Sequence, residues 1–332
     1  MQVVVLAAGQ GTRLRPLTGD RPKSMLNVAG RPLLHSLLED LGALGVAEVI
    51  LVVGHGHGRI RAYAGDGVRF GLKITYVQQE RQLGSGHALQ QAAHLVTDRE
   101  FLLLPADAWY HRDLIARLLA AAGPTLLQAE GLASSRHGVT VLEAGKVVDL
   151  LGPEEGHDGL PSGGAYRLPR RILEALQGGN HRLRDAIRTD LASNGPWTPL
   201  RAAAHEYIDL VEVSDLLRLN ALLLERLLPS VEGRVEAGAV LSGAVHVGEG
   251  SLVRAGCVVT GPVSIGRHCD IGPGAVLNPG TALRNHVRIG PLAFLQNCTL
   301  GSNVVVGPQA RIQDAALDNG VHVGPGAHID GG

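Results

Sequence analysis

Residues 3–23 read VVVLAAGQGTRLRPLTGDRPK, and this stretch decides the fold of the first part of the chain. A short apolar run, typical of a buried β-strand, leads directly into a turn that contains Gly9 and Gly11. Glycines at a strand end let the backbone approach a phosphate closely, so that N–H groups can donate to it. Arg13 and Lys23 follow and can neutralise phosphate charge. The stretch therefore predicts a triphosphate site at the carboxyl end of the first strand.

Two common phosphate-binding motifs are excluded by the spacing. No Gly-Lys-Ser/Thr follows the glycines, and the third glycine of the dinucleotide fingerprint is absent. The run instead resembles the signature of the sugar-1-phosphate nucleotidylyltransferases, L-A-A-G-x-G-T-R-L-x-P-L-T-x-x-x-P-K, and matches every fixed position of it. The resemblance implies that Arg13 and Lys23 are catalytic. It also implies a set of nucleotide-binding residues in the loop, namely Leu6, Ala8, Gly9, Gly11 and Thr12.

Length and composition limit the classes of function. A chain of 332 residues can form two domains, and a net charge of −1 gives no reason to expect a nucleic-acid or membrane partner. The apolar runs are too short to span a bilayer, and Met1 leads straight into a strand, so we expect a cytoplasmic protein without a signal peptide. Cys257, Cys269 and Cys298 form no C-x-x-C pair, which argues against disulfides or a zinc site.

Short strand patterns alternate with helical patterns up to about residue 228. This alternation predicts a Rossmann-like α/β domain with a mostly parallel sheet covered on both faces. Ligands of such sheets bind at the carboxyl ends of the strands, where the opening loop lies. Strands are expected at 3–6, 49–53, 74–77 and 101–104, and helices at 32–44, 87–95, 114–122, 183–191 and 213–227.

A six-residue period begins after Val231 and continues to the end of the sequence. Aliphatic residues recur every six positions from Val235 to Leu295, and the register slips by one residue before Leu300 and again before Leu317. This is the hexapeptide repeat of a left-handed parallel β-helix. We therefore predict two domains, a nucleotidyltransferase domain over 1–228 and a β-helix over 229–332. By analogy with other β-helices, we expect a homo-oligomer, specifically a trimer.

A second informative segment, residues 76–89, reads YVQQERQLGSGHAL. A pyrimidine presents donors and acceptors on one edge, and the amide of Gln79 can match them while Gly84 lets the base approach the backbone. The segment is similar to Q-x-x-x-L-G-T-[AG]-H-A of the bacterial N-acetylglucosamine-1-phosphate uridylyltransferases, with Ser85 in place of threonine. The resemblance implies that Gln79, Gly84 and Ser85 bind the nucleotide. A polar loop before a helix is the alternative interpretation.

Nucleotidyl transfer needs Mg²⁺ held by one or two carboxylates and substrate oxygens. Asp107 follows the strand expected at 101–104 and matches the metal-binding aspartate of the family, and Asp209 matches a second one. A lone aspartate after a strand can also be a turn or helix cap. His55 and His57 lack a third ligand nearby, so we interpret them as loop residues rather than a zinc site.

The sugar-phosphate side departs from the family. Where the family carries Glu-Lys-Pro, this chain has residues 151–153, LGP, so the lysine that holds the sugar phosphate is absent. The two glutamates that follow could replace the family glutamate only with a shift in register. The later Asn-x-Gly-x-Tyr motif reads SGGAY at 162–166. The glycines that let the sugar approach the backbone remain, and Gly138 and Gly164 are the expected sugar-binding residues.

The resemblance implies transfer from a pyrimidine nucleoside triphosphate to a hexose-1-phosphate, giving a nucleotide sugar and pyrophosphate. UTP is favoured and dTTP is the second candidate. The acceptor is expected to be N-acetylglucosamine-1-phosphate or glucose-1-phosphate. The missing lysine leaves open a non-catalytic regulatory subunit that binds nucleotide or sugar phosphate. Acetyl transfer, which bifunctional relatives add, is not expected, because His322 and His328 do not match a catalytic histidine and the repeat stops at Gly332.

Overall fold

The computed structural model describes residues 1–54, 56–132, 137–156, 158–177 and 182–332, so His55 lies outside the described residues. The described chain forms two compact units. The first comprises Met1–Gly11, Asp20–Met25 and Leu33–Asp209, and the second comprises Thr12–Gly19, Leu26–Pro32 and Leu210–Gly332. The main division between the two compact units falls after Asp209, and two short N-terminal segments belong to the second unit.

The strands before residue 210 are mostly short runs of aliphatic residues. In chain order they are β1 (Val3–Ala7), β2 (Asn27–Val28), β3 (Arg31–Pro32), β4 (Glu48–Val53), β5 (Lys73–Gln78), β6 (Glu100–Pro105), β7 (Ala108–Tyr110), β8 (Thr125–Ala129), β9 (Val139–Glu143), β10 (Lys146–Leu151), β11 (Ser162–Pro169), β12 (Thr198–Ala202) and β13 (Tyr207–Asp209).

The helices bury apolar residues. They are α1 (Leu33–Ala43), α2 (His57–Ala64), α3 (Ser85–Ala92), α4 (Arg112–Ala120), α5 (Arg171–Gln177), α6 (Leu183–Asn194) and α7 (Val213–Leu224). Short 3₁₀ turns lie at Thr12–Leu14, Lys23–Met25, Val68–Phe70, Ala93–Leu95 and Pro153–Glu155.

The first unit is built on a seven-stranded sheet with the order β12-β8-β11-β6-β1-β4-β5. β1 pairs in parallel with β4 and β6, β4 with β5, and β8 with β12, whereas β11 runs antiparallel to both of its neighbours. β1 is an interior strand of this sheet. It is buried on both faces, as its unbroken apolar run from Val3 to Val5 predicts. The predicted mostly parallel α/β sheet is confirmed.

A second, two-stranded sheet lies beyond the carboxyl end of β6. The chain leaves β6 at Pro105, passes Asp107 and forms β7, which pairs antiparallel with β13. Asp209 stands opposite Ala108 in this register. The pairing therefore brings two aspartates that are far apart in the sequence to neighbouring positions.

The second unit contains the predicted left-handed β-helix, made of three six-stranded parallel sheets. Its short strands are β14 (Ser230–Val231), β15 (Arg234–Val235), β16 (Val240–Ser242), β17 (Val245–Val247), β18 (Leu252–Val253), β19 (Val258–Thr260), β20 (Val263–Ile265), β21 (Asp270–Ile271), β22 (Val276–Leu277), β23 (Thr281–Leu283), β24 (Arg288–Ile289), β25 (Phe294–Gln296), β26 (Thr299–Leu300), β27 (Val305–Val306), β28 (Arg311–Gln313), β29 (Ala316–Leu317), β30 (His322–Val323) and β31 (His328–Asp330).

The strand register reproduces the sequence period. Val247 pairs with Ile265 and Ile265 with Leu283, one coil apart, and Leu283 then pairs with Leu300 and Leu300 with Leu317. The last two steps are one residue shorter, as the two slips in the period predict. The aliphatic residues and the three cysteines lie in the buried core of the coil.

Helix α7 belongs to the second unit because its buried face carries a polar anchor. The amide of Asn220 accepts from the backbone N–H of Ala29 at 2.9 Å and donates to the carbonyl of Gly280 at 2.8 Å. Asn27 also donates to the hydroxyl of Thr299 at 3.2 Å. These bonds tie the β2–β3 hairpin and α7 to the coils, although both segments precede the repeat.

Within the described ranges, no helix combines the length and the apolar character needed to cross a bilayer.

Candidate active site

A cavity of about 420 Å³ opens at the carboxyl end of the central sheet in the first unit. The end of β1 and the start of the following loop form one side of it, since residues Leu6 to Gly9 line the cavity. The remaining lining comes from the loop after β5, the start of α3, the end of β6 with the loop that follows it, and the 3₁₀ turn at Lys23–Met25. It consists of Lys23, Ser24, Gln79, Gln82, Gly84, Ser85, Ala88, Pro105 and Asp107.

Gly9 and Gly84 leave backbone accessible in this cavity. A Cβ built on Gly9 would meet no atom within 4 Å, so a ligand can approach the main chain there. Gly84 precedes α3 with φ of 101°, a conformation that side chains other than glycine rarely adopt. Ser85 begins the helix directly after it, and the first N–H groups of a helix favour anions. Both glycines thus suit close contact with a nucleotide.

Two glutamines fix the geometry of the loop after β5. Gln79 is buried, and its Nε2 donates to the carbonyl of Gly84 at 3.1 Å and lies 3.0 Å from Nδ1 of His87. Because the amide nitrogen is engaged there, the amide oxygen is the atom that can accept from a ligand. Gln82 donates to the carbonyl of Ala8 and so joins this loop to the loop after β1.

Lys23 lies between two carboxylates. Its Nζ is 3.0 Å from Oδ2 of Asp107 and 3.5 Å from Oδ1 of Asp209. The lysine side chain is only 10% exposed, so this charge is largely shielded from solvent. His137 is a second neighbour, with Nε2 at 3.5 Å from the other oxygen of Asp209. The sequence-predicted catalytic lysine and both predicted metal ligands therefore form one cluster.

The environment of Asp209 opposes its ionisation. Burial raises the pKa of this carboxyl above its ordinary value, and the nearby charge of Asp107 acts in the same direction. Lys23 and His137 lower the pKa and partly offset these effects. Beneath the pair, burial holds the pKa of Tyr110 and Tyr207 well above the usual tyrosine value. A cation at this point stabilises both carboxylates in the charged form.

The donor set of the cluster fits Mg²⁺. Carboxylate oxygens are the hard ligands that Mg²⁺ prefers, and one or two of them suffice when substrate oxygens complete the shell. Asp107 and Asp209 provide such a pair. In the described part of the chain, no group of three or more His, Cys, Asp or Glu side chains forms a complete protein-only metal site.

A second cavity, of about 350 Å³, adjoins the first. The two share Gly84 and Ser85, and the second continues past the sequence-predicted glycines Gly138 and Gly164. The rest of its described lining is Leu83, His137, Leu150, Ser162, Tyr166, Arg182, Leu183 and Arg184.

The structure groups most of the sequence-predicted site residues. Leu6, Ala8, Gly9, Lys23, Gln79, Gly84, Ser85 and Asp107 line the first cavity, and Gly138 and Gly164 line the second. Asp209 joins through Lys23. Gly11, with φ of 65°, is not part of the lining, and Thr12 and Arg13 lie on a 3₁₀ turn that belongs to the second compact unit.

Several polar residues that line the two cavities were not among the residues predicted from the sequence. Gln82 lies within the quoted loop and could have been noted as a second amide. His137 precedes a predicted glycine, but its proximity to Asp209 depends on the fold. Arg182 and Arg184 lie at the start of α6, and their only signal was the absence of a lysine elsewhere.

Comparisons with known proteins agree with this geometry. The model of the nucleotidyl transferase family matches residues 2–150, and that of the bacterial transferase hexapeptide matches residues 244–279. A glucose-1-phosphate thymidylyltransferase of Streptomyces antibioticus is 34% identical over 266 residues, which cover 76% of this chain and 74% of that protein. The low-salt glycan biosynthesis nucleotidyltransferase Agl11 of Haloferax volcanii is 30% identical, covering 75% and 73%.

Two further comparisons concern a longer relative and the fold. The bifunctional protein GlmU of Methanococcus maripaludis is 30% identical over 76% of this chain, and the match spans 62% of that protein's length. A crystal structure of a Bacillus anthracis protein in complex with sucrose superposes with a TM-score of 0.59 at 20% identity, covering 67% of this chain and 94% of that one. The latter likeness concerns the fold alone.

Proposed function

Because this chain belongs to the sugar-1-phosphate nucleotidyltransferases, we propose that it joins a pyrimidine nucleoside triphosphate to a hexose-1-phosphate. UTP is the favoured nucleotide, and N-acetylglucosamine-1-phosphate or glucose-1-phosphate is the acceptor. The observation that carries the proposal is the pair of adjoining cavities, one with Lys23 and Asp107 and the other with two arginines, which meet at Gly84 and Ser85. The arrangement suits two anionic substrates that must react with each other.

Gln79 supports the choice of base. Its amide nitrogen is held by Gly84, so its oxygen accepts a hydrogen bond from the base. Uracil and thymine carry an N3–H donor at the matching position, whereas cytosine carries an acceptor there. The site therefore selects UTP and dTTP over CTP.

dTTP is the second candidate for a specific reason. Two relatives from Streptomyces, 34% and 32% identical, are glucose-1-phosphate thymidylyltransferases. The amide of Gln79 reads the edge that uracil and thymine share, so it favours neither of them.

The reaction is a direct displacement at the α-phosphorus. An oxygen of the sugar phosphate forms a bond to the α-phosphorus, the bond between that phosphorus and its bridging oxygen to the β-phosphate breaks, and pyrophosphate leaves. The attacking phosphate is already anionic, so the site needs no general base. Positioning and charge stabilisation provide the catalysis. Lys23 and Arg13 bind the triphosphate, and Gly9, Gly11 and Thr12 donate backbone N–H groups to it.

Asp107 and Asp209 would hold Mg²⁺. When bound, the ion supplies positive charge that offsets the charge of the triphosphate and of the leaving pyrophosphate. Lys23 lies 3.0 Å from Asp107 and orients that carboxylate toward the cavity. Leu6, Ala8 and Ser85 shape the nucleotide pocket, and Gly138 and Gly164 let the sugar approach the backbone of the second cavity.

The test is a panel of nucleoside triphosphates against the two sugar-1-phosphates, read by pyrophosphate release with Mg²⁺. We expect release with UTP or dTTP. The kcat/KM for CTP is expected to be lower by a factor of about 100 or more, since a site built around one hydrogen bond rejects the analogue that lacks it. No release with any pair would contradict the proposal. Tight UTP binding without release would instead support the regulatory subunit.

The assembly and the domain boundary belong to the same proposal. We assign the transfer reaction to residues 1–228 and the β-helix to 229–332, and we expect a homo-oligomer, a trimer by analogy, formed through the β-helix.

Val240 and Val258 stand in register on one flat sheet of the coil and are 55% and 40% exposed. Light scattering coupled to size exclusion gives the mass. Val258→Glu is expected to yield monomers, and an unchanged oligomer would exclude this face.

A further inference from the structure

The second cavity is lined by two arginines and a histidine. Arg182, Arg184 and His137 face it, and the described residues of its lining include no carboxylate. The first cavity, by contrast, contains Asp107. Such a charge distribution fits an anion, and the substrate that must lie beside the triphosphate carries a phosphate.

Arg184 has the more constrained position of the two arginines. It is the second residue of α6, and its side chain is 23% exposed. One end of the guanidinium, Nη2, donates to Oε1 of Glu154 at 3.0 Å. Its Nε is buried, has no hydrogen-bond partner among the described residues and lies 3.8 Å from Oδ1 of Asp185. The guanidinium therefore pairs with two carboxylates but retains donor capacity in the lining of the cavity.

Gly152 makes room for this guanidinium. A Cβ built on Gly152 would overlap Nη1 of Arg184 and Oε1 of Glu154. The backbone of Gly152, with φ of −75° and ψ of 160°, is ordinary extended chain that any residue can adopt. A larger residue at this position would therefore displace the ends of the Arg184 and Glu154 side chains, while the backbone itself would accept it.

The position of Gly152 is also where the resemblance fails. With Pro153 aligned to the proline of the family's Glu-Lys-Pro motif, Gly152 falls on the lysine. The chain has therefore lost a cation from this point of the backbone, and an arginine from another element reaches the space above it.

We propose that Arg184 replaces the missing lysine and binds the phosphate of the sugar-1-phosphate, with Arg182 beside it at the rim of the cavity. This inference rests on the proposed function and names the cation of its second subsite. A guanidinium can donate two parallel hydrogen bonds to a phosphate, and this geometry holds the attacking oxygen in a defined direction. The entering phosphate competes with Glu154 for the guanidinium. The positive charge also reduces the repulsion between the two anionic substrates.

The first test measures both Michaelis constants. Arg184→Ala is expected to raise the KM for the sugar-1-phosphate about 10- to 100-fold, as the loss of a charge-assisted hydrogen bond predicts, and to leave the KM for the nucleotide within about twofold. Arg188→Ala is the matched control. Arg188 lies one turn further along α6 and pairs with Asp149 and Glu155, but it does not line the cavity. Equal effects of the two variants would overturn the proposal.

A second test moves the cation back to the backbone position of the family motif. Gly152→Lys alone places its side chain against Arg184 and is expected to impair the enzyme. In the double variant Gly152→Lys, Arg184→Ala, the guanidinium is gone, the exposed side chain of Glu154 can move aside, and the extended backbone accepts lysine. We expect the double variant to recover at least about a tenth of the parent kcat/KM for the sugar phosphate, since an ammonium can serve as a phosphate-binding point charge. A double variant no better than Arg184→Ala would count against the proposal.

Calorimetric titration with glucose-1-phosphate separates this inference from the proposed function. The proposed function fails if the parent binds this compound but releases no pyrophosphate with any nucleotide. The role of Arg184 survives that result if Arg184→Ala weakens binding about tenfold or more while Arg188→Ala does not. If glucose-1-phosphate binds the parent and Arg184→Ala equally, the inference fails even when turnover is observed. Thermal unfolding of each variant identifies a loss that comes from misfolding.

Discussion

At the scale of single residues, Lys23 shows how the site combines opposite charges. Its ammonium lies between Asp107 and Asp209, and the lysine lines the same cavity as the end of β1. One lysine can thus lower the pKa of the buried Asp209 and also face the phosphates of a nucleotide. The predicted consequence is a large loss of rate on truncation and a small loss of binding.

We expect Lys23→Ala to lower kcat for pyrophosphate release by about 100- to 1000-fold, because a preorganised charge at the transition state is lost. Lys73→Ala is the control, since Lys73 is 73% exposed and pairs with Glu48 at the surface. Steady-state kinetics with UTP or dTTP measures both. A Lys23→Ala enzyme with more than a third of the parent rate would remove this lysine from the mechanism.

Gln79 gives the second prediction at this scale. Gln79→Leu removes the acceptor proposed to read N3–H of the base, and we expect the KM for UTP or dTTP to rise about 10-fold or more with an unchanged KM for the sugar phosphate. Gln90→Leu, on the same stretch of chain but bonded to the carbonyl of Leu176, is the control. Equal KM values in Gln79→Leu and the parent would show that this amide does not read the base.

The sequence predicts these single residues well when they lie next to a strand end. Asp107 and Gly9 follow strands whose apolar runs are unmistakable, so their place at the sheet edge can be inferred without a structure. Arg184 could not be inferred in this way. It lies next to Gly152 although the two residues are 32 positions apart in the sequence (184 − 152). Their proximity depends on how α6 packs, which no local pattern indicates.

At the scale of elements, pairing between short strands brings together residues that are far apart in the sequence, which a local pattern cannot predict. The β7–β13 ladder places Asp209 opposite Ala108, and this register alone brings the second carboxylate to Lys23. The β-helix is the opposite case, because every hexad packs against its neighbour and the period itself determines the fold. Even the two register slips were readable in the spacing, since each shortens one coil by one residue.

Helix α7 supplies the prediction at the element scale. Asn220→Ala leaves the N–H of Ala29 and the carbonyl of Gly280 without their buried partner. We expect the free energy of unfolding, measured by urea denaturation, to fall by about 2–4 kcal/mol. Asn285→Ala, which removes a surface bond to the N–H of Arg267, should cost about 1 kcal/mol or less. Similar losses in both variants would mean that Asn220 does not anchor the helix.

At the scale of the whole molecule, the two compact units do not follow the linear order of the chain. One N-terminal segment, Leu26–Pro32, belongs with the coils, because its β2–β3 hairpin is bonded to Asn220 and Thr299. A boundary drawn from composition falls at the start of the repeat and does not include this segment. Its partners are more than 190 positions away, and nothing in the local sequence indicates them.

The three cysteines test the burial of the coil as a whole. Each is buried and unpaired, and burial raises the pKa of the Cys298 thiol to about 12. The neutral thiol therefore predominates at pH 8, and none of the three should react with a disulfide reagent in the native protein. Full reaction of all three is expected after denaturation. Rapid modification of the native protein would contradict a closed, packed coil.

The most direct test of the whole account is pyrophosphate release by the purified parent protein with Mg²⁺, UTP or dTTP, and glucose-1-phosphate or N-acetylglucosamine-1-phosphate. The two adjoining cavities predict release that requires both substrates and disappears in Lys23→Ala. Release from none of the four pairs, by a protein that is folded and binds the nucleotide, would contradict the proposed transfer reaction.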